Sequence, residues 1–222
     1  MPGRKTPLIT GQYYHVFNKG INGQNIFLDQ KHYQRMIDSL WLYRYLSPPL
    51  RMSYLQRLTE KKRTDIKQSI KGEAKHVHVV SYCLMPNHFH ILIKQVLDKG
   101  VSIFMSNLQN SYTRYFNTQQ KRIGPIFLGK FKAVLIESEE QLLHTSRYIH
   151  LNPFSASIVK NIHELRSYSR SSLQEYIANK QYLCNIKILF DLIGSPKKHW
   201  QFISSQADYQ RKLAQNKHLS IE

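Results

Sequence analysis

The stretch HVHVVSYCLMPNHFHILIKQ at residues 76–95 constrains the fold of this chain more than any other segment. Two runs rich in β-branched and aromatic residues flank the turn signal Met85-Pro86-Asn87. Such a pattern is typical of two antiparallel strands joined by a tight turn, so the stretch predicts a β-hairpin.

The second strand of this hairpin predicts two unlike faces. Alternate side chains of a strand share a face, so His88, His90 and Leu92 point one way. The opposite set is purely apolar and is expected to bury against helices: Phe89, Ile91 and Ile93. Both imidazoles are therefore expected together on the open face of the sheet.

The rest of the chain alternates strand and helix patterns. Ser138 and Gln141 have capping-box spacing at the start of one helix, and Pro153 disfavours helical geometry at Asn152, where that helix is expected to end. The expected elements are a strand at 12–18, a helix at 30–45, the hairpin, a helix at 101–117, a strand at 126–136 and a helix at 138–152. This order predicts an α+β fold, a ferredoxin-like antiparallel sheet with helices on one face.

The same pattern predicts the domain organisation. We expect a catalytic domain at residues 1–158 and a basic, helical C-terminal extension at 159–222. A strongly charged segment at about 46–75 lacks a strand pattern and is expected to be an exposed, partly helical insertion.

Charge is the most unusual property of the composition. The chain has 32 Lys+Arg against 14 Asp+Glu, a formal net charge of +18. Such an excess favours a polyanionic partner, because basic side chains that displace counterions from phosphates supply most sequence-independent affinity for nucleic acid. The alternative is a basic protein that is merely soluble.

Other classes of protein are disfavoured. No apolar run approaches the length of a membrane span, and the N-terminal MPGRKTPLIT has no hydrophobic signal core, so we expect a cytoplasmic protein without a membrane partner. Cys83 and Cys184 are far apart and lack CxxC spacing, and we expect each to be a small buried residue rather than a ligand.

Two motifs carry candidate chemistry. His88 and His90 supply two imidazoles, which suit a transition-metal ion. In RYIHLNP, Tyr148 and Asn152 lie one helical turn apart, and the Asn152 amide offers a third, neutral oxygen ligand. Taken alone, the second motif also fits a half-buried tyrosine followed by an ordinary helix end.

The combination of motifs resembles a known family. MPNHFHILI, GPIFLGKFKAVLI and RYIHLNP, in that order, resemble the HUH-endonuclease single-tyrosine transposases, and they look closest to the REP-associated tyrosine transposases. The HUH motif (His, bulky apolar, His) is His88-Phe89-His90 here. The resemblance covers roughly residues 10–160.

The resemblance implies a site and a reaction. It assigns a divalent metal, Mg or Mn, to His88 and His90, and the nucleophile to Tyr148, with Asn152 in the place of a glutamine that completes the metal site in related transposases. It also implies a 5′-phosphotyrosine intermediate on single-stranded DNA, within a hairpin or at its foot. Where the family has a short Val-Arg-Ala-like stretch after the NP, this chain has Phe154-Ser155-Ala156, which removes a basic residue.

Further residues are weaker candidates. Lys130 and Lys132 are expected to alternate onto one face of the fourth strand, as part of the DNA path or as an ordinary solvated face. His144 is a candidate assistant to the tyrosine one turn further on, and an exposed histidine is the alternative. The rival nucleophiles are Tyr112 and Tyr115, and further candidate electrostatic contacts to DNA are Arg4, Lys5, Lys197, Lys198, Arg211 and Lys212.

Several alternatives remain open at this point. The same charge fits a domesticated, non-catalytic relative that binds nucleic acid without cutting it. The same metal ligands fit a hydrolytic enzyme in which water attacks. The sequence leaves both a monomer and a homodimer open, as well as the choice between Mg and Mn.

Overall fold

The computed structural model describes residues 7–219, with side chains described through residue 215, so the candidates Arg4 and Lys5 lie outside the described residues. Short 3-10 turns occur at Ile21–Gly23 and Ile162–Ser167. The strands and helices are β1 (Tyr13–Lys19), α1 (Gln30–Tyr43), α2 (Met52–Leu55), α3 (Glu60–Ser69), β2 (Val77–Met85), β3 (His88–Gln95), α4 (Gly100–Gln119), β4 (Lys132–Ile136), α5 (Glu139–Ser155), α6 (Leu173–Ile177), α7 (Lys187–Ile193), α8 (Pro196–Ser204) and α9 (Ala207–Leu219).

The four strands form one antiparallel sheet in the order β2-β3-β1-β4. The hairpin of β2 and β3 is present, and β1 inserts between β3 and β4 as a ferredoxin-like topology requires. The predicted α+β class and antiparallel sheet are confirmed. In this register His90 lies between Phe17 of β1 and Cys83 of β2.

Helices cover both faces of the sheet. Phe89 packs edge-to-face on Phe127, which in turn contacts Tyr112 of α4, so α4 lies on the apolar face as expected, with α1 packed beside it. On the opposite face the ring of Tyr148, from α5, contacts His90. The face expected to be open is therefore partly covered, because the ferredoxin-like unit is followed by a further helix that folds back across it.

The fourth strand is shorter than predicted. Only Lys132–Ile136 forms β4, against an expected 126–136. Phe127 still makes an isolated bridge with Gly20, but Gly129 adopts a positive φ of 59°, which interrupts the extended backbone. Lys130 therefore lies in the loop before the strand, and its expected alternation with Lys132 does not occur.

Helix α5 is longer than predicted. Ser138 caps its start, accepting a hydrogen bond from the Gln141 N–H at 3.1 Å, as the sequence indicates. The expected end at Asn152 is wrong by three residues, since the helix includes Pro153 and continues to Ser155. A proline so close to the end removes one backbone donor only, and the Ala156 N–H still closes the last turn on the Asn152 carbonyl at 2.9 Å.

The segment at 46–75 is partly helical, as expected. Helix α3 has no buried residue, whereas α2 anchors the segment through Met52 and Leu55, which are 1% and 2% exposed. The assignment of this segment as an insertion in the catalytic domain stays a prediction.

The C-terminal region protects one edge of the sheet. The Leu84 N–H donates to the Arg170 carbonyl at 2.9 Å, and the Ser172 N–H donates to the Tyr82 carbonyl at 3.0 Å. Strand β2 thus has its outer backbone groups satisfied by this segment. The division of the chain into 1–158 and 159–222 stays a prediction.

Two smaller expectations concern the described residues as well. Cys83 and Cys184 are free, buried thiols, as expected. Within residues 7–219, none of the helices combines the length and apolar character that crossing a membrane requires.

Candidate active site

The hairpin brings the two histidines of the HFH motif onto one face of β3. The ring centroids of His88 and His90 are 5.0 Å apart and the ring planes are nearly perpendicular, at 89°. Phe89 points to the opposite face, where it is fully buried. The alternation predicted from the sequence is present.

Neither imidazole lies on an open surface. His90 is 8% exposed and His88 is half-buried. Burial lowers the pKa of His88 to about 4 and lowers the pKa of His90 well below its ordinary value. Both rings are therefore neutral at neutral pH, and the neutral imidazole is the form that binds metal ions.

Asn87, the last residue of the turn, fixes the tautomer of His88. The Asn87 Nδ2 donates to the Gly23 carbonyl at 3.2 Å, so the Oδ1 atom faces His88 Nδ1, 2.7 Å away. An amide oxygen only accepts, so Nδ1 of His88 carries the proton. Its Nε2 atom keeps a lone pair for a ligand bond.

His15 has the corresponding position beside His90. Strand β1 places His15 so that its Nε2 lies 2.9 Å from His90 Nδ1, and the two rings stack with centroids 5.1 Å apart. Burial lowers the pKa of His15 to about 4, so one neutral ring donates and the other accepts. When His90 donates from Nδ1, its Nε2 is left free to bind a metal.

Tyr148 lies over this pair of histidines. Its ring makes edge-to-face contacts with His90 at 5.5 Å and His15 at 6.0 Å between centroids, yet the side chain is 41% exposed. Partial burial raises the pKa of the phenol above its ordinary value, and the Asn152 amide acts in the opposite direction. The site therefore presents a reachable but protonated hydroxyl, which needs activation before it can attack.

Asn152 is held beside Tyr148 by their common helix. Its Nδ2 donates to the Tyr148 carbonyl at 2.9 Å, which leaves Oδ1 as the amide atom with metal-binding lone pairs. Because α5 continues through Pro153, the one-turn spacing predicted for Tyr148 and Asn152 holds. Asn152 is buried, at 8% exposed.

The donor set at this site is neutral. Among the described residues, no three His, Cys, Asp or Glu side chains are arranged to hold a metal ion. Two neutral imidazoles and one amide oxygen nevertheless fit a divalent ion chemically, and they leave its charge uncompensated.

The rival tyrosines are poorly placed. Tyr112 is fully buried, its hydroxyl donates to the Ile26 carbonyl at 2.6 Å, and burial raises its pKa far above the ordinary value. Tyr115 follows on the same helix, across the sheet from His90, and its ring lies beneath the Arg35 guanidinium at 5.1 Å.

The other candidate residues are dispersed. His144 is exposed and contacts Arg147 at 2.9 Å, with its ring against Phe202 of α8, so its contacts lead away from Tyr148. Lys132 is exposed at the start of β4. Arg211 is not free, because its guanidinium donates to backbone carbonyls near the end of α5.

Sequence reasoning missed His15 and Asn87. Asn87 is the last residue of the turn motif, directly before His88. This position was the available signal for a contact with the His88 ring. His15 had the weaker signal of alternation within β1, and its partner could not be identified without the register of β1 against β3.

Comparison with known proteins shows the family of the chain. A family model described as transposase IS200 like matches residues 39–152, just over half of the chain and the range that holds His88, His90, Tyr148 and Asn152. Among solved structures, that of the REP-associated tyrosine transposase bound to a REP hairpin is similar, with a TM-score of 0.55 and 15% identity, over 82% of this chain and 88% of that one. At this identity the similarity concerns the fold. No curated protein matches the chain.

Proposed function

Because the chain belongs to the IS200-like transposase family, we propose that it cuts and rejoins single-stranded DNA with the Tyr148 hydroxyl as nucleophile. The observation that carries the proposal is the contact of Tyr148 with His90, 5.5 Å between ring centroids, at a side chain that is still 41% exposed. A nucleophile has to be accessible to substrate and close to its activating groups, and the exposure of Tyr148 and its contact with His90 support this role.

The reaction is a transesterification. The Tyr148 oxygen attacks the phosphorus of a phosphodiester and loses its proton, a new O–P bond forms, and the bond from phosphorus to the 3′ oxygen breaks. The leaving 3′ oxygen takes up a proton, which leaves a 3′-OH strand and a 5′-phosphotyrosine. A 3′-OH can reverse this step without ATP, since the ester bond energy is kept in the intermediate.

His88, His90 and Asn152 are the residues that would hold a divalent metal, Mg or Mn. Bound there, the metal would act as a Lewis acid on the phosphate oxygens and favour the phenolate form of the tyrosine. The fit rests on the neutral imidazoles, on the free Nε2 of His88 and on the unused amide oxygen of Asn152.

Asn87 and His15 act as positioning residues in this proposal. Each contacts the Nδ1 atom of one ligand histidine, at 2.7 Å and 2.9 Å. Such outer partners fix the tautomer and orientation of ligand imidazoles, which usually changes metal affinity by about 10- to 100-fold.

Hairpin DNA is the proposed substrate. The similar solved protein is bound to a REP hairpin, and the net charge of +18 suits a polyanion. Cytoplasmic location, which the sequence predicts, is part of the same proposal.

The experiment that tests the proposal uses labelled single-stranded hairpin DNA with Mn²⁺. We expect an SDS-stable protein–DNA adduct that Tyr148→Phe abolishes and that the matched Tyr115→Phe retains. Loss of the adduct on His90→Ala or with EDTA would support the metal. A free 5′-phosphate product without adduct would mean that water attacks, and salt-dependent binding without cutting would mean a non-catalytic DNA-binding protein.

A further inference from the structure

A polar groove lies on the helical layer across the sheet from Tyr148. It has a volume of about 670 Å³ and lies between α1, α2 and α4. Its lining includes four arginines and no acidic residue: Arg35, Arg51, Arg57 and Arg114. The candidate active site and the proposed reaction do not use this surface.

Arg35 forms a buried positive charge at this groove. It is 5% exposed, and its guanidinium donates to Gln56 Oε1 at 2.7 Å and to Ser111 Oγ at 3.0 Å. These partners are neutral, so they satisfy hydrogen bonds without neutralising the charge. Its Nε has no partner among the described residues.

Asp38 acts on Arg35 only at a distance, where its negative charge favours the charged form of the guanidinium. The Asp38 carboxylate accepts a hydrogen bond from Gln34 Nε2 at 3.0 Å and makes no ion pair with the guanidinium within the described residues. Burial lowers the pKa of Arg35, which is the expected cost of desolvating a cation. A buried guanidinium that no carboxylate contacts within the described residues keeps part of this cost, which a bound anion would offset.

The rim of the groove carries the remaining positive charge. Arg51, Arg57 and Arg114 are exposed, and across residues 7–215 none of their side chains makes an ion pair or hydrogen bond. Guanidinium groups bind phosphate in a bidentate manner. The lining between them includes amides and hydroxyls, among them Asn107, Asn110 and Thr118.

We propose that this α1–α2–α4 groove is a second DNA-binding surface, which holds backbone phosphates of the substrate outside the active site. The proposal rests on DNA being the substrate. Phosphate groups would supply negative charge to Arg35 and to the rim arginines together. Because two layers of packing separate the groove from Tyr148, roughly 20 Å by ordinary packing distances, the DNA must pass around an edge of the sheet.

The test measures binding to an oligo(dT) series of increasing length as a function of salt. The variant is Arg51→Gln/Arg57→Gln/Arg114→Gln, and the control is Lys61→Gln/Lys62→Gln/Lys180→Gln, which removes the same charge from exposed lysines elsewhere. Arg35 is left intact because a change at a buried position could impair folding. Thermal unfolding of each variant checks that the fold is kept.

We expect the arginine variant to lower the slope of log K against log salt by about 2 on long oligonucleotides, because each phosphate contact to single strands contributes about 0.7. Oligonucleotides that are too short to extend from the active site to the groove should bind to the two variants with equal affinity. Equal slopes for the two variants on long DNA would overturn the groove proposal. Adduct formation through Tyr148 is a separate readout, so either proposal can fail while the other stands.

Discussion

The Nε2 atom of His15 lies 2.9 Å from the Nδ1 atom of His90, so one candidate metal ligand is oriented by a histidine from a different strand. β1 pairs directly with β3 in the middle of the sheet. The register of this pair places His15 diagonally beside His90 on the same face. The site is thus assembled by sheet pairing and is not confined to the HFH motif.

We first predict that His15→Phe weakens metal binding without removing a ligand. Phenylalanine keeps the stacked ring but has no nitrogen for His90 Nδ1, so the His90 tautomer is no longer fixed. The Kd for Mn²⁺, measured by calorimetry without DNA, should rise about 10-fold. His163→Phe, at an exposed histidine, is the matched control, and an unchanged Kd in His15→Phe would exclude the positioning role.

A second prediction concerns Asn152 as the third ligand. Asn152→Ala removes the amide oxygen and should weaken Mn²⁺ binding and adduct formation together, whereas Asn152→Asp should retain both because a carboxylate oxygen also binds Mn. The loss of the Nδ2 bond to the Tyr148 carbonyl is common to both variants. If Asn152→Asp failed like Asn152→Ala, the residue would serve the helix and not the metal.

The residues in these two predictions differ in how far their roles could be predicted from the sequence. The alternation of His88 and His90, and the one-turn spacing of Tyr148 and Asn152, are local and were predictable from strand and helix geometry. The partner of His15 depends on pairing between strands more than 70 residues apart. Long-range register is set by the whole core, so no local pattern reveals it.

Two errors of the sequence prediction have local causes. The fourth strand begins late because Gly129 adopts a left-handed conformation, and α5 ends late because one missing donor near a helix end costs little. The third error, the open face, arose because all helices were expected on one face of the sheet. Its packing over His90 follows from contacts that only the folded chain makes.

A third prediction follows from buried, neutral histidines. His199 is 1% exposed, stacks on Tyr176 at 4.5 Å, and burial lowers its pKa from 6.5 to about 4. Between these pH values the unfolded chain binds a proton that the folded chain does not. The free energy of unfolding therefore falls as pH drops through this window, by at most about 1.4 kcal/mol per pH unit for each such group.

His199→Phe should reduce the loss of stability at low pH, because the stacked ring remains and the titrating group is gone. The measurement is denaturant unfolding at several pH values between about 6.5 and about 4. His163→Phe, at an exposed site, is the control variant. If the free energy of unfolding depended on pH equally in both variants, His199 would bind its proton in the folded chain as readily as in the unfolded chain.

The last prediction distinguishes two roles for Arg211. The sequence suggested a DNA clamp, but the guanidinium donates to the carbonyls of Phe154 at 3.0 Å and Val159 at 2.9 Å, and it lies over the Phe154 ring. It therefore fastens α9 to the end of α5, the helix that carries Tyr148. Gln210 adds a hydrogen bond to the Tyr148 carbonyl at 3.2 Å.

Arg211→Met should accordingly loosen α9. Removing hydrogen bonds from a charged donor to partly buried carbonyls costs about 1–3 kcal/mol, so amide protons of α9 should exchange about 5- to 160-fold faster. Lys212→Met removes the same charge from the exposed neighbouring residue and should leave exchange unchanged. If both variants instead lowered DNA affinity equally and left exchange intact, Arg211 would be a phosphate contact and the fastening of α9 would depend on other residues.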